Sequence, residues 1–417
     1  MNTIAIVGGG ASGMAAALAA REVADSRVLL LERQNRVGRK LLSTGNGRCN
    51  LTNEYADLSR YHGENVPFMA PALEQFSVQA TLDWFQSLGL ITRTEPDSGR
   101  VYPLSDSAAS VVDALRLALD ARGVELLCGC TVAEARREGG GFLLTSSLGE
   151  VISCDKLIIA CGGLAGTKLG GSGAGYDLLS ALGHGRTALR PSLVQLKTDN
   201  TYTRSMKGIR TQAKLTLEQK GRVLDFAQGE IQFADYGITG PAVYDLSRTA
   251  AFAGESCTLC LRLLPELDRA QLRDYLARKR QDFPNYKAEN LLSGALHNAI
   301  ARVILRRAEI PANTRLWSLA DKNLAQIAEL ILRFELPLLG TLTFDEAQVT
   351  AGGMETGQFD PQTMESLLVP GLYACGEVLD IDGDCGGFNL QWAWSSGRLA
   401  GLSAAGLPES DSPAAIS

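Results

Sequence analysis

Histidine is nearly absent from this sequence: His62, His184 and His297 are the only three in 417 residues, and their separation gives no reason to expect a metal site. An excess of positive charge is missing as well. The 40 Lys and Arg are outnumbered by 46 Asp and Glu, giving a net charge of −6 and a pI near 5.4. Without a basic stripe to neutralise phosphates, no nucleic-acid partner is expected. No apolar run approaches the roughly 18 residues of a membrane-crossing helix, and no basic stretch precedes the first strand. A cytoplasmic protein with no membrane partner is therefore expected, as a monomer or homodimer. The nine cysteines are odd in number and scattered, which suits a reducing compartment better than a disulfide scaffold. Cys257 and Cys260 form a C-x-x-C, but in the strand-like run SCTLCLRLL they would face opposite ways.

Glycine is what the sequence has in excess, at 44 positions, above the norm of roughly 7%. The first cluster carries a mechanism. Thr3 to Val7 is short, apolar and β-branched, Gly8-Gly9-Gly10-Ala11-Ser12-Gly13 follows, and an alanine-rich helical stretch comes next. In this strand–turn–helix context Gly8 permits the turn and Gly10 lets a phosphate approach the backbone. Gly13 allows helix and strand to pack closely, and the helix N-terminus offers free N–H groups to a pyrophosphate. The second strand ends at Glu32, where an acid accepts hydrogen bonds from ribose hydroxyls. An NAD dehydrogenase would continue into its next βα unit here. Instead Arg33 opens a long polar loop, with the cations Arg36, Arg39 and Lys40 and a second glycine loop from Thr44 to Asn50, which suggests that a larger cofactor, FAD, is enclosed.

Further along, helical periodicity spans 77–88 and 107–122, with Gly123 as a C-cap. Strand-like runs at 124–128, 130–136, 142–147 and 151–152 read as a β-meander, leading to a buried strand from Lys156 to Ala160 that ends in Gly162 and Gly163. Residues 191–265 read as strands, with 237–241 a loop that turns the chain, and 266–334 as helices. Near the C-terminus, Gly371 to Glu377 and Gly386 to Gln391 repeat the pattern of strand, acid, glycine turn and helix. That helix N-terminus is suited to negative charge on the N1–C2=O edge of a reduced flavin, and Glu377 to ribitol hydroxyls. The last ten residues, small and polar, are expected to fray. The fold class is thus α/β. A discontinuous Rossmann-type FAD-binding domain (1–190 and 345–417) carries an inserted capping domain, β-rich over 191–265 and helical over 266–344.

The run Thr44-Gly-Asn-Gly-Arg-Cys-Asn-Leu-Thr-Asn53, with Val349 to Met354 and Gly371 to Gly397, resembles the BaiN-like bacterial flavoproteins, a family that includes proteins described as aminoacetone oxidases. The resemblance implies that Gly8, Gly10, Gly13, Glu32, Arg33 and Lys40 hold the ADP part of FAD and that Val132 gives backbone contacts to the adenine. It places Asn46 to Asn50 (Asn46, Gly47, Arg48, Cys49, Asn50), Glu377, Phe388, Asn389 and Leu390 around the flavin. Ser12, Arg39, Thr44, Gly45, Ala160, Gly162, Gly376 and Gly387, in the same loops, complete the candidate cofactor set. Two departures from the family pattern bear on substrate chemistry. Ala234-Asp235 stands where relatives carry Thr-His, and Gly171-Ser-Gly-Ala-Gly175 stands for their S-T-G-D-G.

The expected function is an FAD-dependent oxidoreductase in which NADH or NADPH reduces the flavin. N5 then passes a hydride to an activated C=C bond of an apolar, 3-oxo steroid or bile-acid-like small-molecule substrate. No second nucleotide fingerprint is present, so the nicotinamide donor is expected to bind transiently over the flavin, or the donor to be another electron carrier. The alternatives are an amine oxidase releasing hydrogen peroxide and, outside enzymes, a flavin-binding sensor or RNA-associated flavoprotein. Arg48 and Tyr236 are the candidate catalytic residues, while Cys49 and Cys385 are read as structural.

Overall fold

Ile4 to Val7 and Val28 to Leu31 are uninterrupted apolar runs, and such runs are stable as strands only when covered on both faces. In the computed structural model, which describes residues 2–23, 26–254 and 256–406, they form the centre of a five-stranded parallel sheet. Its order is Leu372–Ala374, Lys156–Ile159, Thr3–Val7, Arg27–Glu32, Glu125–Cys128. The C-terminal ten residues, for which fraying was expected, lie outside the described residues. The chain divides into two compact units, Met1–Arg190 with Val349–Ser417, and Pro191–Gln348.

The first unit has the expected α/β architecture. Helices Ala11–Val23 and Phe388–Ala405 pack against each other through small residues. A Cβ on Gly397 would strike the Ser12 carbonyl, and one on Gly401 the Ala16 carbonyl. These positions are four apart on each helix and so share one face. One strand departs from expectation. Glu125–Cys128 is not the first strand of the meander but the parallel edge of the main sheet, with Leu29 opposite Glu125. All four of its residues are exposed, so it lacks the burial pattern that would have marked its partner. The meander itself is Val132–Glu138, Gly141–Ser146 and Val151–Cys154, antiparallel throughout.

In the second unit six strands close a barrel in the order Leu196–Thr198, Gly237–Thr239, Arg222–Phe233, Arg210–Gln219, Cys257–Arg262, Phe334–Thr341. Alternation puts Ala213, Leu215 and Leu217 inside. Helix and strand are not segregated along this stretch. Helix Pro241–Ala253 lies among the strands, and strand Phe334–Thr341, after three helices, closes the barrel. The loop expected at 237–241 is therefore a short strand and a helix start. Gly240 (φ 122) makes the turn and Pro241, with φ already set for the first helical position, starts the helix. Cys257 lies in the core and Cys260 beside Glu218 and Arg333, both as free thiols.

Candidate functional site

The carboxyl edge of a parallel sheet is where crossovers leave open backbone, and ligands bind there in doubly wound folds. Four segments of this chain emerge at that edge: Gly8, the loop after Glu32, Ala160 and Cys375. They are packed to backbone tolerance. Gly8 has φ +114, and a Cβ there would run into the Ala160 carbonyl, while a Cβ on Gly13 would hit the carbonyl of Gly8. Gly10 is the exception: among the described residues no heavy atom lies within 4 Å of where its Cβ would be. The tight contacts fix the loop, and the open one leaves room at the N-terminus of helix Ala11–Val23.

Glu32 accepts from the Gly9 N–H (2.7 Å) with Oε2 and from the Gln34 N–H (2.7 Å) with Oε1. A carboxylate has about four lone-pair sites, so it is oriented yet keeps capacity for further donors. The Cys130 N–H donates to the Glu32 carbonyl (3.0 Å), which brings the chain toward Val132, and a register shift between Val132 and Glu134 leaves Ala133 outside the ladder. Arg33 donates to the Gly170 carbonyl (2.8 Å) and Arg39 to the Gln34 side chain (2.6 Å), so both hold loops.

From Gly13 the site continues through Ser12, whose hydroxyl is at 3.5 Å from the Cys375 carbonyl, to Gly376, whose N–H is held by Ser396 Oγ at 2.9 Å. Lys40 Nζ meets Glu377 Oε2 at 2.8 Å, and Glu377 Oε1 accepts from the Thr350 N–H at 2.8 Å. The lysine expected at the ADP part and the acid expected at the ribitol thus meet. Among the described residues, chain neighbours aside, the nearest atom to the Cβ position of Gly162 (φ +68) is Glu377 Oε2 at 3.9 Å.

The second glycine loop has an unusual backbone. Gly45 and Asn46 (φ 55), Gly47 (φ 83) and Cys49 (φ 60) are left-handed, a region that asparagine tolerates and other side chains rarely enter. Thr44 anchors it by donating to the Leu41 carbonyl (2.7 Å), and the Cys49 N–H bonds the Thr44 carbonyl (3.0 Å). The loop delivers Asn50 to the start of helix Phe388–Ala405. Asn50 Oδ1 is buried without a partner among the described residues, and a Cβ on Gly387 would sit 2.9 Å from it. The first N–H groups of that helix, at Phe388, Asn389 and Leu390, have no intrahelical acceptor. The Asn389 side chain is already used, bonding both the N–H (2.8 Å) and the carbonyl (2.7 Å) of Gly383, so only its backbone is available.

Arg48 is committed: it pairs with Glu95 at 3.3 Å and lies 4.2 Å above the Tyr102 ring. Tyr236 belongs to the other unit, in the turn between strands Arg222–Phe233 and Gly237–Thr239. Burial, with Tyr244 and Asp235 near, raises its pKa, so it stays protonated at neutral pH. Burial pushes the Cys49 thiol up to about 12, which makes it inert. Two groups escaped the sequence reading. His62 Nε2 meets Asp384 Oδ1 at 2.8 Å, because strand Tyr61–His62 pairs with Asp382–Gly383, and Arg100 stands beside Gly386. Neither carries a local motif; only a contact across more than 280 residues reveals them.

A family model described as HI0933-like protein Rossmann domain matches residues 2–403. A 3-dehydro-bile acid delta(4,6)-reductase of Clostridium scindens is 40% identical over 98% of this chain and 100% of its own length. A ribosomal RNA dihydrouridine synthase of Escherichia coli K12 is 31% identical over 94% of this chain and 95% of its own. Among solved structures, the 3-ketosteroid delta1-dehydrogenase of Sterolibacterium denitrificans in complex with 1,4-androstadiene-3,17-dione superposes with a TM-score of 0.52 at 12% identity. That match covers 97% of this chain and 100% of the other, which shows a shared fold.

Proposed function

Because this chain belongs to the HI0933-like Rossmann family, we propose that it is an FAD-dependent reductase that saturates a C=C bond conjugated to a carbonyl in an apolar, 3-oxo steroid or bile-acid-like substrate. One observation carries the reading. The two named relatives act on different molecules, yet a delta(4,6) reduction and the formation of dihydrouridine both add hydrogen across a C=C bond next to a carbonyl. Identity of 40% against 31% favours the steroid-like substrate.

The residues present fit FAD. The open space at Gly10 lies where a pyrophosphate would meet a helix N-terminus, and Glu32 keeps lone pairs for ribose hydroxyls. The Lys40–Glu377 pair offers a cation to phosphate and a carboxylate to ribitol. The unpartnered Asn50 Oδ1, an acceptor, suits an N–H group on a flavin's pyrimidine edge. When bound, the flavin supplies hydride chemistry at N5. The protein's part is to orient it: the Gly8–Gly13 backbone fixes one end, and the Asn50 amide with the N–H groups opening helix Phe388–Ala405 fixes the other. Arg48, held by Glu95 and Tyr102, shapes the second glycine loop.

The test is anaerobic. The FAD-loaded protein is bleached with NADH or NADPH and then mixed with a 3-oxo-4-ene steroid acid. Return of the oxidised spectrum together with a saturated product is expected; a flavin that stays bleached with every enone refutes the proposal. Action on uracil in RNA is the second reading, favoured by the 31% relative and opposed by the net charge of −6. Dihydrouridine appearing in ribosomal RNA treated with the reduced protein would establish it.

A further inference from the structure

Arg100 opens the strand Arg100–Pro103, opposite Asn53 in the antiparallel pair with Thr52–Asn53. A Cβ on Gly386 would lie 3.4 Å from Arg100 Nε and 3.4 Å from Asn53 Nδ2, so both side chains meet the turn that leads into helix Phe388–Ala405. Asn53 is spent there, donating to the Gly386 carbonyl (2.8 Å) and the Ser98 carbonyl (3.1 Å). Arg100 is partly buried, and its guanidinium has neither a hydrogen-bond acceptor nor a carboxylate partner among the described residues. Neighbouring cations are compensated: Arg48 by Glu95, Arg93 by Asp106, Arg60 by Asp384 and Lys40 by Glu377. A half-desolvated cation without a counter-charge is costly. It sits beside the positive end of an 18-residue helix. A cation with no carboxylate partner beside a helix N-terminus favours negative charge arriving from outside the chain.

We propose that Arg100 is the residue that compensates the negative charge a bound flavin takes up on reduction, and that it raises the flavin's reduction potential. Two electrons and one proton delivered to the flavin place hydrogen on N5 and leave one net negative charge spread over N1 and C2=O. Oxidised flavin carries no such charge, so a cation at this edge stabilises the reduced form preferentially. The proposal rests on the FAD reading above and is independent of the substrate.

The full-length protein reconstituted with FAD is compared with Arg100→Met and Arg100→Lys in two substrate-free measurements. Sulfite, whose lone pair forms a bond to N5, leaves one negative charge on the same N1–C2=O edge, and its affinity is read from bleaching. The midpoint potential is read by equilibration with a reference dye during anaerobic reduction. Arg100→Met should bind sulfite at least tenfold more weakly. A tenfold loss of preference for the reduced state corresponds to a potential lower by about 30 mV for a two-electron couple, and Arg100→Lys should retain most of both. Unchanged sulfite affinity and potential in Arg100→Met overturn the proposal. So does an unchanged potential in Arg100→Met whose separate titration with a 3-oxo-4-ene steroid acid shows lost binding, which would give the charge to the substrate. Should Arg100→Met not hold FAD, the wild type decides: its reduced flavin must stay anionic, by absorbance, on acidification to where free reduced flavin is neutral. Protonation under those conditions overturns the idea. A wild type that takes up no FAD is a different failure, that of the cofactor reading.

Discussion

Replacing Gly10 by alanine separates the role of the first glycine loop in the fold from its role in binding. The added methyl meets no heavy atom within 4 Å among the described residues, and Gly10 is not one of the left-handed glycines. The apoprotein should keep its stability to within ~0.5 kcal/mol. The same methyl fills the space where a pyrophosphate would approach the helix N-terminus. Hydrogen bonds to charged groups contribute ~1.5–3 kcal/mol each, so losing one weakens FAD about 10- to 150-fold. Gly13→Ala is the counterpart. Its Cβ collides with the carbonyl of Gly8, a backbone atom with little room to yield, and the apoprotein should lose ~1–3 kcal/mol. Urea denaturation of the two apoproteins, with FAD titration followed by fluorescence quenching, reads both effects. A Gly10→Ala protein that binds FAD like the wild type refutes the reasoning, because the open space would then not be where the phosphate goes. A Gly10→Ala apoprotein as destabilised as Gly13→Ala would refute it from the other side.

Lys40→Met removes the cation from a partly buried pair and leaves Glu377 with the Thr350 N–H. Stability should fall by no more than ~1 kcal/mol, whereas FAD affinity falls about tenfold or more; equal FAD titrations for both proteins would contradict this. Native Cys49, with its thiol pushed up to about 12, should escape iodoacetamide at pH 8 while exposed Cys128 is modified; mass-spectrometric detection of alkylated Cys49 in the folded protein sinks the inert reading. His184 is buried between the Leu179 carbonyl (3.2 Å) and Ser366 Oγ (2.8 Å), and burial lowers its pKa from 6.5. The unfolded chain then binds the extra proton more readily, so stability is full above about 6.5 and declines as pH falls from there toward the folded value. Thermal melts of the wild type should show this decline, and those of His184→Gln should lack it; parallel pH profiles for the two would reject the assignment.

The parts of the fold written in neighbouring residues were legible. The loop from Gly8 to Gly13 is a local device, in which strand, turn and helix are adjacent and each glycine answers a steric demand within the loop or from the next strand. Pairings between distant segments were not. Parallel pairing of Glu125–Cys128 with Arg27–Glu32 leaves no alternation in an exposed edge strand. Strand Phe334–Thr341 closes a barrel begun more than 130 residues earlier, so a reading by composition assigned it to a helical stretch. Helix Pro241–Ala253 was hidden by its flanks, since Gly-Ile-Thr-Gly-Pro has the composition of a turn although Pro241 starts a helix.

The same distinction explains why Arg48 drew attention and Arg100 did not. Arg48 lies inside a conspicuous motif, and a cation in a glycine loop invites a ligand role. Whether it is available depends on Glu95 and Tyr102, which approach from another part of the chain and neutralise and stack it. Arg100 occupies an ordinary strand sequence, and what distinguishes it is a missing partner, which no spacing rule registers. Charge balance in folded space thus reverses the ranking that motif proximity suggests. In a parallel-sheet protein whose candidate site draws on four segments at the carboxyl edge of the sheet, a charged residue's role follows from which opposite charges can reach it, and the sequence order of those charges carries almost no information about that.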